Sequence, residues 1–179
     1  MAIPTYTDIS TASKSAPGEV STNYKNNYVE SEVCGSNALK FGYGIQVKSG
    51  VANVLAAADA ATISARNTFG IAVFSPVARG LDDRQYEQYD QVGILKTGII
   101  NVVCEETVAK GDAVRVRLTN HASDATKLVG KFGTTADTAK TAVINGARFV
   151  RSSGSLTVDG STYIIAELFL PDSITLTVD

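Results

Sequence analysis

From Phe41 to Val178 the sequence runs as a succession of short apolar or alternating stretches, many of them closed by glycine, proline, Asn-Gly or Asp-Gly. That pattern points to short strands joined by tight turns rather than to helices. Residues 41–47 end at Ser49-Gly50, and residues 69–75 end at Pro76. Residues 91–96 and 99–104 flank Gly98, which marks a tight turn or bulge between two strands or a bend within one long strand. Val114, Val116 and Leu118 alternate with Arg115 and Arg117, as in a half-buried strand with one wet or partner-facing side. Residues 127–132 read as another short strand. Asn145-Gly146 reads as a hairpin turn between residues 142–144 and 147–150. Asp159-Gly160 does the same between residues 155–158 and 162–170, and residues 173–178 alternate to close the chain. The one stretch with helical character, residues 54–63, owes it to alanine and predicts a short helix or a loop. The expected fold is all-β, a single β-barrel or sandwich-like domain.

The first 36 residues differ. They are rich in Ser, Thr and Asn, carry Tyr6, Tyr24 and Tyr28, and lack a sustained apolar period. The reading is an extended N-terminal arm over 1–36 joined to a core domain over 37–179. A disordered tail is the alternative. Tyrosines favour an arm lying on a neighbouring subunit, because they bring large contact area with few rotors to freeze.

Composition bears on partners. Hydrophobic residues make up 44% of the 179-residue chain, enough for a packed core and against wholesale disorder. The formal net charge of −2 offers no basic excess to neutralise phosphates, so no nucleic-acid partner is expected. No apolar run approaches the roughly 20 residues needed to span a bilayer, and no basic amphipathic stretch suits a membrane surface. The N-terminal residues lack a signal-peptide pattern, so the expected place of synthesis is a cytoplasm. Cys34 and Cys104 then read as buried thiols, with a disulfide the less favoured alternative.

Little in the chain reads as catalytic machinery. His121 is the lone histidine and sits in a polar loop, with no Gly-x-Ser-x-Gly elbow to supply a nucleophile. A pairing of His121 with Cys34 or Cys104 is arithmetically open, yet Cys104 shares a face with Ile100 and Val102. Asp82-Asp83, Glu87, Glu105-Glu106 and Glu167 are the acids from which a glycosidase pair would be drawn, and solvated charge is the stronger reading. Residues 41–44 are glycine-rich but form no phosphate loop. No enzyme activity, no metal and no cofactor are expected. The densest charged segment, residues 79–90, interleaves both signs with tyrosines, a composition that suits either a solvated loop or a contact loop. Arg79, Arg84, Tyr86 and Tyr89 join Tyr6, Tyr24 and Tyr28 as candidate protein-contact residues. Arg115, Arg117, Arg148 and Arg151 could likewise meet acidic groups on a partner.

The order of the core pieces carries a resemblance. Phe41-Gly42-Tyr43-Gly44-Ile45-Gln46-Val47 is followed by Phe69-Gly70-Ile71-Ala72-Val73-Phe74 and by Tyr89-Asp90-Gln91-Val92-Gly93-Ile94-Leu95-Lys96-Thr97-Gly98. Then come Val108-Ala109-Lys110-Gly111-Asp112-Ala113-Val114, Asn145-Gly146-Ala147-Arg148-Phe149 and Ile164-Ile165-Ala166-Glu167-Leu168. This succession, over residues 41–170, resembles the structural cement (head decoration) proteins of tailed bacteriophages. The resemblance implies a barrel-like virion subunit on the outer capsid surface that bridges neighbouring major capsid proteins. It also implies a homo-oligomer, for which a trimer is favoured over a dimer, and no catalytic residues. A phage tail or surface glycan-binding β module is the alternative, and a hydrolase on a β scaffold is a third.

Overall fold

The computed structural model describes residues 16–22, 24–35, 38–57, 68–78, 84–158 and 160–179. Among them lie thirteen strands: β1 Tyr28–Cys34, β2 Leu39–Lys40, β3 Gly44–Lys48, β4 Val51–Val54, β5 Phe69–Ala72, β6 Gln85–Tyr86 and β7 Gln91–Cys104, then β8 Ala113–Arg117, β9 Phe132–Gly133, β10 Thr141–Phe149, β11 Gly154–Val158, β12 Ser161–Leu170 and β13 Leu176–Val178. No α-helix occurs among the described residues, so the expected all-β class holds.

The strand pairings close two rings that share β7. The N-terminal barrel runs β7–β1–β4–β3–β5 and back to β7. The C-terminal barrel runs β7–β9–β8–β10–β12 and back to β7. β13 adds to β10, β11 extends β12, and β2 pairs with β6 in a small ribbon. Each barrel has its own core. Phe41, Ile45, Val47, Ala72, Tyr86, Val92 and Ile94 fill the N-terminal one. Ile100, Val102, Val114, Val116, Phe132, Ile144, Phe149 and Leu168 belong to the other. Burying one such side chain stabilises by about 1.5–3 kcal/mol, so each core holds its barrel largely through area removed from water.

Gly98 is where β7 passes from one barrel to the other. It is a bend within one strand, with a φ of 133° that only glycine adopts readily. Val92 and Ile94, before it, face the N-terminal core, and Ile100, Val102 and Cys104, after it, face the C-terminal core. The side chain of Asn27 fills the bend. Its Oδ1 accepts from the Ile99 amide at 2.9 Å, and its Nδ2 donates to the Ser21 and Tyr24 carbonyls at 2.7 and 2.8 Å.

Three local readings change. Asn145-Gly146 is not a hairpin turn but an irregularity inside the continuous strand β10. Gly146, at a φ of 83°, lets β10 change partners, with residues 142–144 pairing with β13 and residues 148–149 with β12. Residues 127–131 form turns rather than a strand, because Gly130 sits at a φ of 86° and its carbonyl turns to the Gly44 amide. The segment read as an arm also differs beyond residue 15: Tyr28–Cys34 is β1, antiparallel to β7, and Gly18 and Ser21 donate to the Asn101 and Ile99 carbonyls. Residues 1–15 lie outside the described residues, as do residues 58–63 of the alanine-rich stretch and Asp159. Cys34 and Cys104 are free thiols in separate cores, which rules out a bond between them.

Candidate protein interface

β1 carries the sequence Tyr28-Val29-Glu30-Ser31-Glu32-Val33-Cys34. A strand alternates its faces, so Val29, Ser31 and Val33 share one side and Glu30, Glu32 and Cys34 the other. Here the usual pattern is inverted. Val29 and Val33 are 43% and 49% exposed, while the opposite row ends at fully buried Cys34. Glu30 reaches back to Lys96, whose ammonium is buried, at 3.8 Å, and Lys96 also donates to the Phe69 carbonyl at 3.0 Å. Gly93, facing Ser31, keeps the outer surface low between Val29 and Val73, either of which a side chain there would meet within 4 Å.

Apolar exposure concentrates on this barrel. Tyr28, Val29, Val33, Phe74, Val77 and Tyr89 all lie on it or on its connections, and only Val178 lies on the other barrel among the exposed large hydrophobics described. Tyr89, 75% exposed, is fixed beside the end of β1 because its amide donates to the Cys34 carbonyl at 2.8 Å. Phe74 stands edge-on to Phe41, with ring centroids 5.3 Å apart. Scattered apolar residues need no explanation, but a concentration on one barrel is the pattern of an interaction surface.

The sequence-derived contact residues separate on this map. Tyr28 and Tyr89 are exposed. Tyr24 is only partly exposed and stacks edge-on against Phe169, 5.8 Å away, with the Arg148 guanidinium over the same ring. Arg84 lies over the Tyr163 ring at 5.3 Å, a cation–π contact that ties the loop of the N-terminal barrel to β12. Tyr86 belongs to the core. It is 1% exposed, meets Phe41 edge-on, donates to the Val73 carbonyl at 2.7 Å and accepts from the Gly93 amide. It therefore holds the barrel and offers no surface to a partner. Tyr6 and Arg79 lie outside the described residues, as do Asp82 and Asp83.

Arg117 is also a correction. It is 2% exposed and faces no solvent or partner. Its Nη2 and Nε bond the two carboxylate oxygens of buried Glu105, and its Nη1 bonds Asp137 at 3.0 Å. The Glu105 contact is the larger reason the Arg117 pKa is raised, and the hydrogen bond from Arg117 in turn holds the Asp137 carboxyl below the usual range. Arg115 bonds the Asp179 side chain at 3.1 Å, and Thr141 bonds it from the other side, pinning the chain's last residue. Arg151 pairs with Glu167 at 2.9 Å. Alternation correctly set Arg115 and Arg117 on a polar face; residues 133–141 and Glu105 cover that face, and nothing in β8 itself signals the cover.

Glu105 and Glu106 point to different partners. Partial burial alone would raise the Glu106 carboxyl, but amide and hydroxyl donors from Thr135 and Thr134 outweigh it and bring the group down to about 2. A depressed carboxyl stabilises the fold above its unfolded value of 4.5, and this is lost as pH falls toward about 2. Glu106→Gln is accordingly expected to cost about 1 kcal/mol near neutral pH, allowing for solvent screening. It should also flatten the stability profile between these pH values in acid-titrated urea unfolding. Burial, with Glu106 and Glu105 nearby, pushes the Cys104 thiol up to about 12, so at neutral pH it is an unreactive thiol. His121 lies in a turn where its Nδ1 accepts from the Ser123 amide at 3.3 Å.

The chain matches a family model described as structural cement protein (E217 gp24/Pam3 gp6) over residues 5–167. It is similar in fold to a chain in the solved structure of the capsid of Myoviridae phage XM1, with 16% identity and a TM-score of 0.60. That similarity covers 85% of this chain and 89% of the other. No curated protein matches the sequence.

Proposed function

Because this chain belongs to the phage structural cement protein family, with a structural role at the virion capsid, we propose that it binds the outer surface of the shell and bridges neighbouring major capsid proteins. In that position it resists the outward pressure of packaged DNA. The observation that carries the reading is the extent of the family match, residues 5–167, which takes in both barrels. The geometry supports it. Two barrels share one continuous strand and carry surfaces on either side of the Gly98 bend, as a bridge between subunits needs. Modest contacts at each site suffice, since a repeating lattice multiplies them. The protein works as a homo-oligomer, a trimer before a dimer, and is made in the host bacterial cytoplasm. It carries out no catalysis. Tyr6, outside the described residues, is among the contacts to a neighbouring subunit in this reading.

Co-sedimentation with expanded, undecorated shells of the same phage tests this, with unexpanded procapsids alongside. Saturable binding to expanded shells at a fixed ratio to the major capsid protein is the expected result. A chain lacking residues 1–15 should bind more weakly while keeping its thermal unfolding profile. Absence of binding by the full chain would overturn the capsid reading, and saturable retention on a glycan array would then put a sugar-binding module in its place.

A further inference from the structure

β1 is bonded along only one edge for most of its length. Its pairing with β7 runs from Tyr28 to Val33, whereas β4 reaches only Val33 and Cys34. The hydrogen-bond direction can be assigned. Cys34 both donates to the Asp90 carbonyl and accepts from the Tyr89 amide on the β7 side, and Gly35 donates to Ala52 on the β4 side. Backbone groups alternate along an antiparallel strand, so those of Glu30 and Glu32 face β7. Those of Val29 and Ser31 face away from it, toward an edge where no strand pairs among the described residues. Such an edge templates another strand. Its outward side chains include exposed Val29 and Val33, and Tyr89 flanks its far end.

Charge decides what fits. A two-fold pairing of β1 with β1 of a second copy that uses both Val29 and Ser31 sets Glu30 opposite Glu30 of the copy. The neighbouring register sets Glu30 opposite Glu32. Like charges directly opposite one another destabilise a strand pair. Glu32 has no ion-pair partner among the described residues. Resting on the capsid-binding reading, we infer that the open edge of β1 docks a short extended segment of the major capsid protein. This added strand is apolar on the face beside Val29 and carries lysine or arginine on the face beside Glu30 and Glu32. Main-chain bonds to Val29 and Ser31 give affinity, and the acidic row selects the partner.

Ser31→Pro removes a donor on the open edge without touching the β7 ladder, a position where proline is tolerated. It should weaken binding to undecorated shells by about tenfold or more, while Ser31→Thr binds as the wild type. Glu32→Lys should weaken binding to a similar degree, and the wild-type complex should loosen as salt is raised. Circular dichroism and thermal unfolding identify a misfolded proline variant, in which case Glu32→Lys decides. Wild-type binding to shells that both variants retain in full overturns the inference alone. So does a Ser31→Pro variant that loses self-association but still binds shells, since the edge would then hold a second copy. Failure of the wild type to bind shells overturns the capsid reading and this inference with it.

Discussion

Replacing Arg117 with alanine is expected to destabilise the protein by about 3–5 kcal/mol, measured by urea unfolding monitored in the C-terminal barrel. The guanidinium and the Glu105 carboxylate are 2% and 3% exposed in their side chains, and each supplies most of the other's hydrogen bonding. Removing the cation leaves a carboxylate stranded in a low-dielectric site, and that penalty exceeds what the pair contributes net. Asp137 loses a bond at 3.0 Å as well, which loosens the residues that cover β8. The control replaces both partners with apolar side chains of similar volume, Arg117→Met with Glu105→Leu. It should recover much of the lost stability, because no charge is then left unpaired. Arg117→Lys should fall between them, since an ammonium cannot form the two parallel bonds to Glu105. A loss under about 1 kcal/mol for Arg117→Ala would mean that water reaches Glu105 and the site is not sealed.

Alternation and turn chemistry carried the all-β class, because glycines and apolar periods are local properties that tertiary structure rarely reverses. Two barrels were not legible. The run through Gly98 reads equally as two strands or one, and what distinguishes them is the Asn27 side chain, 71 positions upstream in sequence, bonded into the bend. β1 escaped notice for a related reason. In Tyr28–Cys34 the apolar row faces outward and the acidic row inward, so no apolar face announces a core strand. The same inversion makes β1 a candidate docking edge. Tyr86 looked like a contact residue because Arg84, Glu87 and Asp90 surround it in sequence. A two-residue strand, β6, is too short for periodicity to show that its second side chain turns inward. Within the candidate interface, Tyr28 and Tyr89 were legible from composition, whereas Val29 and Val33 needed the strand register.

Gly98→Ala is the second large effect, with an expected loss of about 2–5 kcal/mol from two separable causes. A φ of 133° is costly for any residue with a side chain, and a Cβ built there would lie 2.0 Å from the Asn27 Oδ1. The Asn27 side chain would have to leave, breaking its bonds to Ile99, Ser21 and Tyr24. Asn27→Ala alone should cost about 1–3 kcal/mol for the unsatisfied amide and carbonyls. Combined with Gly98→Ala, it should cost less than the sum of the two, because one substitution has already removed what the other collides with. The loss of the double variant beyond that of Asn27→Ala alone then measures the backbone strain. Full additivity would show that β7 bends in some other way to receive the methyl group. The functional consequence follows from the shared strand. If β7 fixes the angle between the barrels, a Gly98→Ala chain that still folds presents two intact surfaces at the wrong mutual orientation. Its binding to shells should then fall although every contact residue remains, and Asn27→Ala, which keeps the glycine, should bind more nearly as the wild type does.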